Sequence, residues 1–127
     1  MDIVTKKKLN ILIQLAMADR EFAAVEREMI YQIARDHNYP VEEVNYLIQN
    51  PEPIGSLGAL SEKQKEDYLL SSIELVMADH RVAESEIVFS QHIAIKLGFL
   101  KNVVNYLLAN FDRRLDTNLR LGDFKQV

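Results

Sequence analysis

Apolar residues recur along this chain at the spacing of amphipathic helices. One early set follows the i, i+3, i+4, i+7 rule, and so does a second set near residue 70; they are Leu9, Leu12, Ile13, Ala16 and Met17, then Leu69, Ile73, Val76 and Met77. No window shows the alternation of a strand, and glycine and proline gather between the apolar segments. The pattern predicts an all-α protein.

The chain also contains an internal repeat. Residues 13–48 can be laid on residues 73–108 at a constant offset of 60, and 13 of the 36 paired positions are identical. Stacked repeat arrays usually need three or more units, so two units predict one globule with pseudo-twofold symmetry. Met17 and Met77 occupy equivalent points of the two most apolar helices, which we therefore expect to cross near the centre of the protein.

Each repeat carries three helical segments. The sequence predicts a single domain, 1–127, with a first repeat at about 3–50, a linker at 51–60 and a second repeat at about 61–110. Phe111, Leu115 and Leu119 predict a further, C-terminal helix at 111–122, which gives about seven helices, and residues 124–127 are expected to fray.

Local signals set several helix limits. Pro40 suits the first turn of the third helix, Gly98 suits the position just after the fifth, and Ser61 with Gln64 forms a capping-box pattern at the start of the fourth. Asn45 and Asn105 occupy matching mid-helix positions, where asparagine is a poor helix former, and predict a repeated buried hydrogen bond.

An acidic turn follows the first helix of each repeat. Asp19 and Asp79 open the two turns, and Glu26 and Glu86 follow seven residues later. If Ala23 and Ala83 are N-caps, the two glutamates fall at N3, from which a glutamate accepts a hydrogen bond from the N-cap amide. The aspartates would then serve the remaining free amides of the helix start.

A metal site is the alternative interpretation of the same residues. A pseudo-twofold axis would bring Asp19, Glu26, Asp79 and Glu86 together, and carboxylate oxygens suit calcium, magnesium or manganese. An EF-hand is excluded, because Ile30 and Ser90 stand where its last, bidentate glutamate belongs. The spacing favours capping and leaves the divalent cation open.

Composition narrows the classes of function. The net charge is −4, and neither half of the chain has the basic excess that nucleic-acid binding requires. The absence of cysteine excludes disulfides, thiolate metal sites and cysteine nucleophiles. No apolar run reaches the roughly 20 residues of a membrane span, so we expect a cytoplasmic location.

The acidic turns carry a family resemblance. The order Met-Ala-Asp, an apolar residue, Glu, then Ile-Ala resembles the TerB-like family, named for a bacterial tellurite-resistance protein, whose signature runs Ala-Asp-Gly-x-apolar-x-x-x-Glu. Arg20 and His80 stand where that family usually has glycine, and Ala23 and Ala83 where a serine or threonine cap is common. The resemblance implies a bundle of about seven helices, a role in stress responses and a divalent-metal or protein-binding surface at the turns.

Two function classes follow. The first is a binding or scaffold module with a divalent-cation site at the acidic turns. The second is a module for a protein partner or for self-association, in which the acids only cap helices. No phosphate loop, paired metal-binding histidines or nucleophile motif indicates an enzyme. Tellurite resistance itself is not carried over.

Overall fold

Six α-helices account for most of the described part of the chain. The structure, a computed structural model, describes residues 2–18, 22–78, 82–111 and 121–126. Within these ranges the helices are α1 (Ile3–Ala16), α2 (Ala24–Asp36), α3 (Val41–Gln49), α4 (Glu62–Met77), α5 (Glu84–Lys96) and α6 (Val103–Ala109). A 3₁₀ turn, Leu121–Phe124, follows, and the described residues contain no strand longer than a single bridge pair. The all-α prediction is confirmed for this part of the chain.

The described ranges hold six α-helices, against the about seven that the sequence predicts. Most of the predicted segment, residues 112–120, lies outside the described residues. At its end, the single 3₁₀ turn Leu121–Phe124 replaces the expected helix terminus. Gly122 disfavours helix in this turn, and Gln126 bonds to Gly98 of the preceding region instead of continuing a helix.

The helix limits in the two halves differ by a nearly constant offset. The first residues of α2 and α5 are 60 residues apart, and so are their last residues. The limits of α1 and α4, and of α3 and α6, follow the same offset to within two residues. We call α1–α3 the first half and α4–α6 the second half, and the residue 60 positions away in the other half is the counterpart.

Helix α4 starts as the sequence predicts. The Gln64 amide donates to Ser61 Oγ at 3.1 Å, and the Ser61 amide donates to Gln64 Oε1 at 2.9 Å, which completes a capping box. Pro40 lies one position earlier than predicted: it is the N-cap of α3 rather than part of the first turn. Its extended backbone, with ψ of 138°, precedes the helical residues.

The ends of α2 and α5 form the same motif. Asn38 and Gly98, which are counterparts, both have positive φ, at 54° and 90°. The amide that follows each one donates back into the helix, Tyr39 to the Ala34 carbonyl at 2.8 Å and Phe99 to the Ala94 carbonyl at 2.9 Å. These bonds define a Schellman motif, so the predicted stop at Gly98 is confirmed.

Helices α1 and α4 lie at the centre and join two apolar clusters. The first cluster belongs mainly to α1–α3 but includes Leu75 from α4, and the second belongs mainly to α4–α6 but includes Ile11 from α1. Leu15 and its counterpart Leu75 are both fully buried. The two helices pack together as expected, although Met17 is 40% exposed and lies at the edge of the contact.

The linker between the halves is held against α1 by two polar side chains. The Asn10 side chain makes hydrogen bonds with both the amide and the carbonyl of Glu52, at 3.0 and 2.9 Å, and Gln14 Nε2 donates to the same carbonyl at 2.6 Å. Leu57 and Leu60 then fill the second cluster. These bonds explain why polar residues interrupt the apolar pattern of α1, since they satisfy backbone groups of a segment without secondary structure.

Candidate functional site

The two glutamates of the acidic turns cap their own helices. Glu26 and Glu86 occupy N3 of α2 and α5, and each accepts a hydrogen bond from its N-cap amide: Ala23 N at 3.0 Å and Ala83 N at 3.3 Å. Both carboxylates are buried, with 2% exposure, at the helix end where the dipole favours negative charge. Because an alanine N-cap offers no acceptor of its own, the glutamate supplies the capping contact from inside the helix.

The other two residues of the predicted metal set, Asp19 and Asp79, lie outside the described residues. Both the predicted metal set and the predicted capping role of these two aspartates therefore stay predictions. In the residues that are described, no three histidine, cysteine, aspartate or glutamate side chains come together in a group able to hold a metal ion.

The repeated asparagine bond exists, but it lies at the surface. The Tyr31 hydroxyl donates to Asn45 Oδ1, and its counterpart Gln91 donates from Nε2 to Asn105 Oδ1 at 3.1 Å. Both asparagines are exposed, so the prediction of a buried bond is wrong. Each bond joins the second helix of its half to the third, and solvent reaches both because the asparagines project from the outer side of α3 and α6.

A contact that the sequence did not predict lies in the second half. The segment 121–126, which we call the tail segment, runs across the end of α5 and the start of α6. The Leu100 amide donates to the Phe124 carbonyl at 2.6 Å, and the Gln126 amide donates to the Gly98 carbonyl at 2.8 Å. Together these bonds make an antiparallel bridge between Phe99 and Lys125. Only the end of the tail segment, residues 124–126, is thus bound as an extended chain, because Leu121–Phe124 forms a 3₁₀ turn.

Side chains of the tail segment add to this binding. Gln126 Nε2 donates to the carbonyls of Ile95 and Phe99, at 3.1 and 2.8 Å, and so satisfies acceptors at the end of α5. The Phe124 ring lies 4.8 Å from that of Tyr106, centroid to centroid. The prediction that residues 124–127 fray is therefore wrong for Phe124 and Gln126, because an aromatic contact and helix-end carbonyls hold them; Val127 lies outside the described residues.

Lys125 fixes the tail segment to the start of α4. Its Nζ lies 2.6 Å from Glu62 Oε2. The hydrogen bond from Lys125 lowers the pKa of the Glu62 carboxyl, and the same bond raises the pKa of Lys125. We call the surface between the start of α4 and the end of α5, which the tail segment covers, the closed groove.

The first half has an open cavity at the corresponding place. The cavity has a volume of about 530 Å³ and lies between the starts of α1 and α4 and the end of α2. We call it the open groove, and its polar lining includes Asp2, Thr5, Lys8, His37, Lys63 and Asp67.

One ion pair and two hydrogen bonds hold charged side chains of the open groove. Lys8 Nζ lies 2.7 Å from Asp67 Oδ2, so these two charges compensate each other. Asp2 caps α1 by accepting from the Val4 amide at 2.9 Å, and it also accepts from the Thr5 hydroxyl at 2.7 Å. The Thr5 hydrogen bond lowers the pKa of Asp2, so this residue is an anion at neutral pH.

The tail contact leaves only a weak signal in the sequence. Phe124 is a single aromatic residue two positions after Gly122, and no periodic pattern links it to α5 or α6. The open groove is likewise lined from three separate segments of the chain, so periodicity along any one of them does not indicate it.

Among the described residues, no helix is both long enough and apolar enough to cross a membrane. A search of protein-family models, curated proteins and solved structures found no significant match to this chain.

Proposed function

We propose that this protein is a non-enzymatic protein-interaction module of the TerB-like type, built by duplication of a three-helix unit. The offset of 60 relates the sequence identities, the limits of α2 and α5, their Schellman ends and the hydrogen bonds of Asn45 and Asn105. A single ancestral unit accounts for all four correspondences. The TerB-like resemblance of the turns adds a proposed role in stress responses.

The observation that carries the interaction role is the bound tail segment. The backbone at and just after the end of α5 offers carbonyl acceptors and the Leu100 amide donor. The tail segment makes hydrogen bonds with both kinds of group. Such recognition of an extended peptide through main-chain hydrogen bonds, with side chains adding selectivity, is a recurring mode of protein interaction. The same three-helix unit occurs twice under this proposal, and one unit carries a bound peptide already.

A peptide screen tests the interaction role. The full chain is immobilised and presented with a display library of random heptapeptides, and the enriched peptides are titrated into ¹⁵N-labelled protein. We expect enrichment of sequences that bind saturably and perturb a contiguous set of amides. A library that shows no enrichment over uncoated beads would remove the support for an interaction module.

A divalent-cation site is the second candidate function. Glu26 and Glu86 favour it, because they are buried carboxylates that follow directly on the turns carrying Asp19 and Asp79. Carboxylate sets of this kind suit calcium, magnesium or manganese. The capping bonds of the two glutamates favour the interaction role instead, since each carboxylate already serves its own helix.

Thermal melting distinguishes the two candidates. If the glutamates only cap, Glu26→Gln keeps an acceptor for the Ala23 amide, and the free energy of unfolding falls by less than about 1 kcal/mol. Millimolar calcium, magnesium or manganese then leaves the Tm unchanged. If the turns bind a cation, the ion raises the Tm of the unmodified protein in proportion to its occupancy, and Glu26→Gln abolishes that rise.

A further inference from the structure

The open groove is the counterpart of the closed groove. Asp2 and Thr5 of the open groove stand 60 positions before Glu62 and Lys65 of the closed one, and His37 stands 60 positions before Leu97. In both halves the groove lies between the start of the first helix and the Schellman end of the second. The tail segment fills this position in the second half, and no described segment of the chain fills it in the first.

The groups that hold the tail segment have counterparts in the first half, and one of them, Asp2, lines the open groove. Glu62, which binds Lys125, corresponds to Asp2, an anion at the same helix start. The backbone carbonyls that Gln126 caps correspond to those of Arg35, Asn38 and Tyr39, and in the described part of the first half no side chain donates to any of these three.

Tyr106 and its counterpart Tyr46 show how the tail segment changes the exposure of an aromatic side chain. Tyr106 is half-buried and has the Phe124 ring against it. Tyr46, its counterpart on α3, is 61% exposed. An aromatic side chain placed on Tyr46 would bury the surface that Phe124 buries on Tyr106.

One difference between the grooves explains why the chain's own tail prefers the second half. Leu100 donates its amide to the Phe124 carbonyl, and its counterpart is Pro40, which has no N–H to donate. A ligand of the open groove therefore lacks this bond and relies on the carbonyl acceptors, the Asp2 charge and Tyr46. The open groove is also the roomier of the two, since about 530 Å³ is free in it against about 240 Å³ beside the tail segment.

We propose that the open groove binds an extended segment of a partner protein in which an aromatic residue is followed by a lysine or arginine and then by a glutamine or asparagine. The aromatic residue lies on Tyr46, the cation pairs with Asp2, and the side-chain amide donates to carbonyls at the end of α2. This inference rests on the proposed interaction role and on the duplication. The occupant chemistry is that of Phe124, Lys125 and Gln126 in the closed groove.

The charge arrangement of the open groove supports a cationic ligand at Asp2. Lys8 and Asp67 neutralise each other, and Asp2 forms no ion pair with any of the described residues. Its two oxygens accept one hydrogen bond each from Val4 and Thr5, and a carboxylate has about four acceptor positions, so it can also accept from a ligand. Lys63 lies on the α4 side of the cavity and repels a ligand cation from that side.

A labelled heptapeptide with the chain's own tail sequence tests the proposal. Fluorescein-Leu-Gly-Asp-Phe-Lys-Gln-Val is titrated into the full-length protein, and a peptide with glutamate in place of its lysine is the control. We expect saturable binding with a Kd below about 1 mM, at least tenfold weaker binding of the control peptide, and amide shift changes around Tyr46, Asn38 and Asp2 in ¹⁵N spectra.

Two protein variants locate the site without disturbing the fold. Asp2→Asn removes the charge but keeps a good N-cap residue, and Tyr46→Ala changes an exposed side chain. We expect each to weaken peptide binding about five- to tenfold with circular dichroism spectra unchanged. Val88→Ala, which truncates a 44%-exposed residue on α5, is the matched control and should leave the affinity as it is.

Every other outcome overturns the inference. Amide shift changes confined to α5 and α6 would show that the peptide exchanges with the tail segment. Self-association in sedimentation experiments that Tyr46→Ala abolishes would assign the open groove to a second copy of this chain. Failure of the heptapeptide to bind, while library peptides bind elsewhere, rejects the open groove but keeps the interaction role. Failure of every peptide rejects both.

Discussion

The two halves of this protein have corresponding helix limits and differ in how their grooves are covered. In the second half the tail segment lies on the end of α5 and pairs with Glu62. In the first half the corresponding surface opens into a cavity, and Tyr46, the counterpart of Tyr106, is exposed. A few substitutions carry the difference, above all Pro40 in place of Leu100. Under the proposed duplication, the first half leaves open the site that the tail segment fills in the second half.

The cores of the halves differ far less than their grooves. Leu15 and Leu75 are both fully buried, and each lies in the central pair of helices. Leu75 packs in the first cluster even though it belongs to the second half. The helices α1 and α4 therefore form one shared structural unit, and the first half should not be stable when its partner half is damaged.

Truncation of either central leucine is expected to have the largest effect. Leu15→Ala and Leu75→Ala should each lower the free energy of unfolding by about 2 to 5 kcal/mol, the usual cost of truncating a buried leucine. Urea unfolding followed by circular dichroism measures both. Met17→Ala is the control, because Met17 is 40% exposed and should lose clearly less.

Two results would contradict this view of the central helices. A loss of less than about 1 kcal/mol at both positions would show that the core lies elsewhere. A large loss at only one position, with separate unfolding transitions for the two halves, would show that α1 and α4 do not join them into one cooperative unit.

Much of the fold could be predicted from the sequence because its signals are local. The 3.6-residue period gave the six helices, and Ser61 with Gln64, Glu26 and Gly98 identified their limits by the backbone groups they satisfy. Asn10 carries no such local signal. Its polarity on a buried face is explained only by Glu52, 42 positions away, whose backbone it satisfies.

Two buried hydroxyl groups offer a second, smaller comparison of the halves. Tyr39 Oη and Ser90 Oγ are buried and make no hydrogen bond to any described residue, and their counterparts are the apolar Phe99 and Ile30. A buried polar group without a partner costs about 1 to 3 kcal/mol. Each half thus carries a destabilising buried hydroxyl at a position where the other half has an apolar side chain.

Removal of these hydroxyls should stabilise the protein. We expect Tyr39→Phe and Ser90→Ala each to raise the free energy of unfolding by about 1 kcal/mol, and Phe99→Tyr to lower it by a similar amount. Urea titrations of the three variants check the signs. Lower stability of Tyr39→Phe would instead mean that the hydroxyl has a partner, such as an ordered water, and that the two halves are better matched than their side chains suggest.

The candidate sites were only partly predictable. The capping role of Glu26 and Glu86 followed from their spacing after the alanine N-caps, because a capping box is a contact between residues three positions apart. The tail contact did not follow, since Phe124 and Tyr106 meet through the fold and neither residue carries a local signal. Contacts between distant segments are set by packing, which periodicity does not encode.

The smallest expected effect concerns pH and the Lys125–Glu62 pair, which holds the tail in the second half only. The pKa of Glu62 is lowered from 4.5, so the pair's contribution is complete above pH 4.5 and is lost as the pH falls through the lowered pKa. The pKa of Lys125 is raised from 10.5, so the contribution persists up to pH 10.5 and is lost as the pH rises through the raised pKa. The Phe124 ring and Leu121 methyl signals should therefore stay constant between about pH 5 and pH 10 and shift below that window. In Glu62→Gln the acid shift of these signals should vanish while the Val4 amide, beside Asp2 in the first half, still titrates; equal titration of the tail signals in that variant would show that the pair does not control the closed groove.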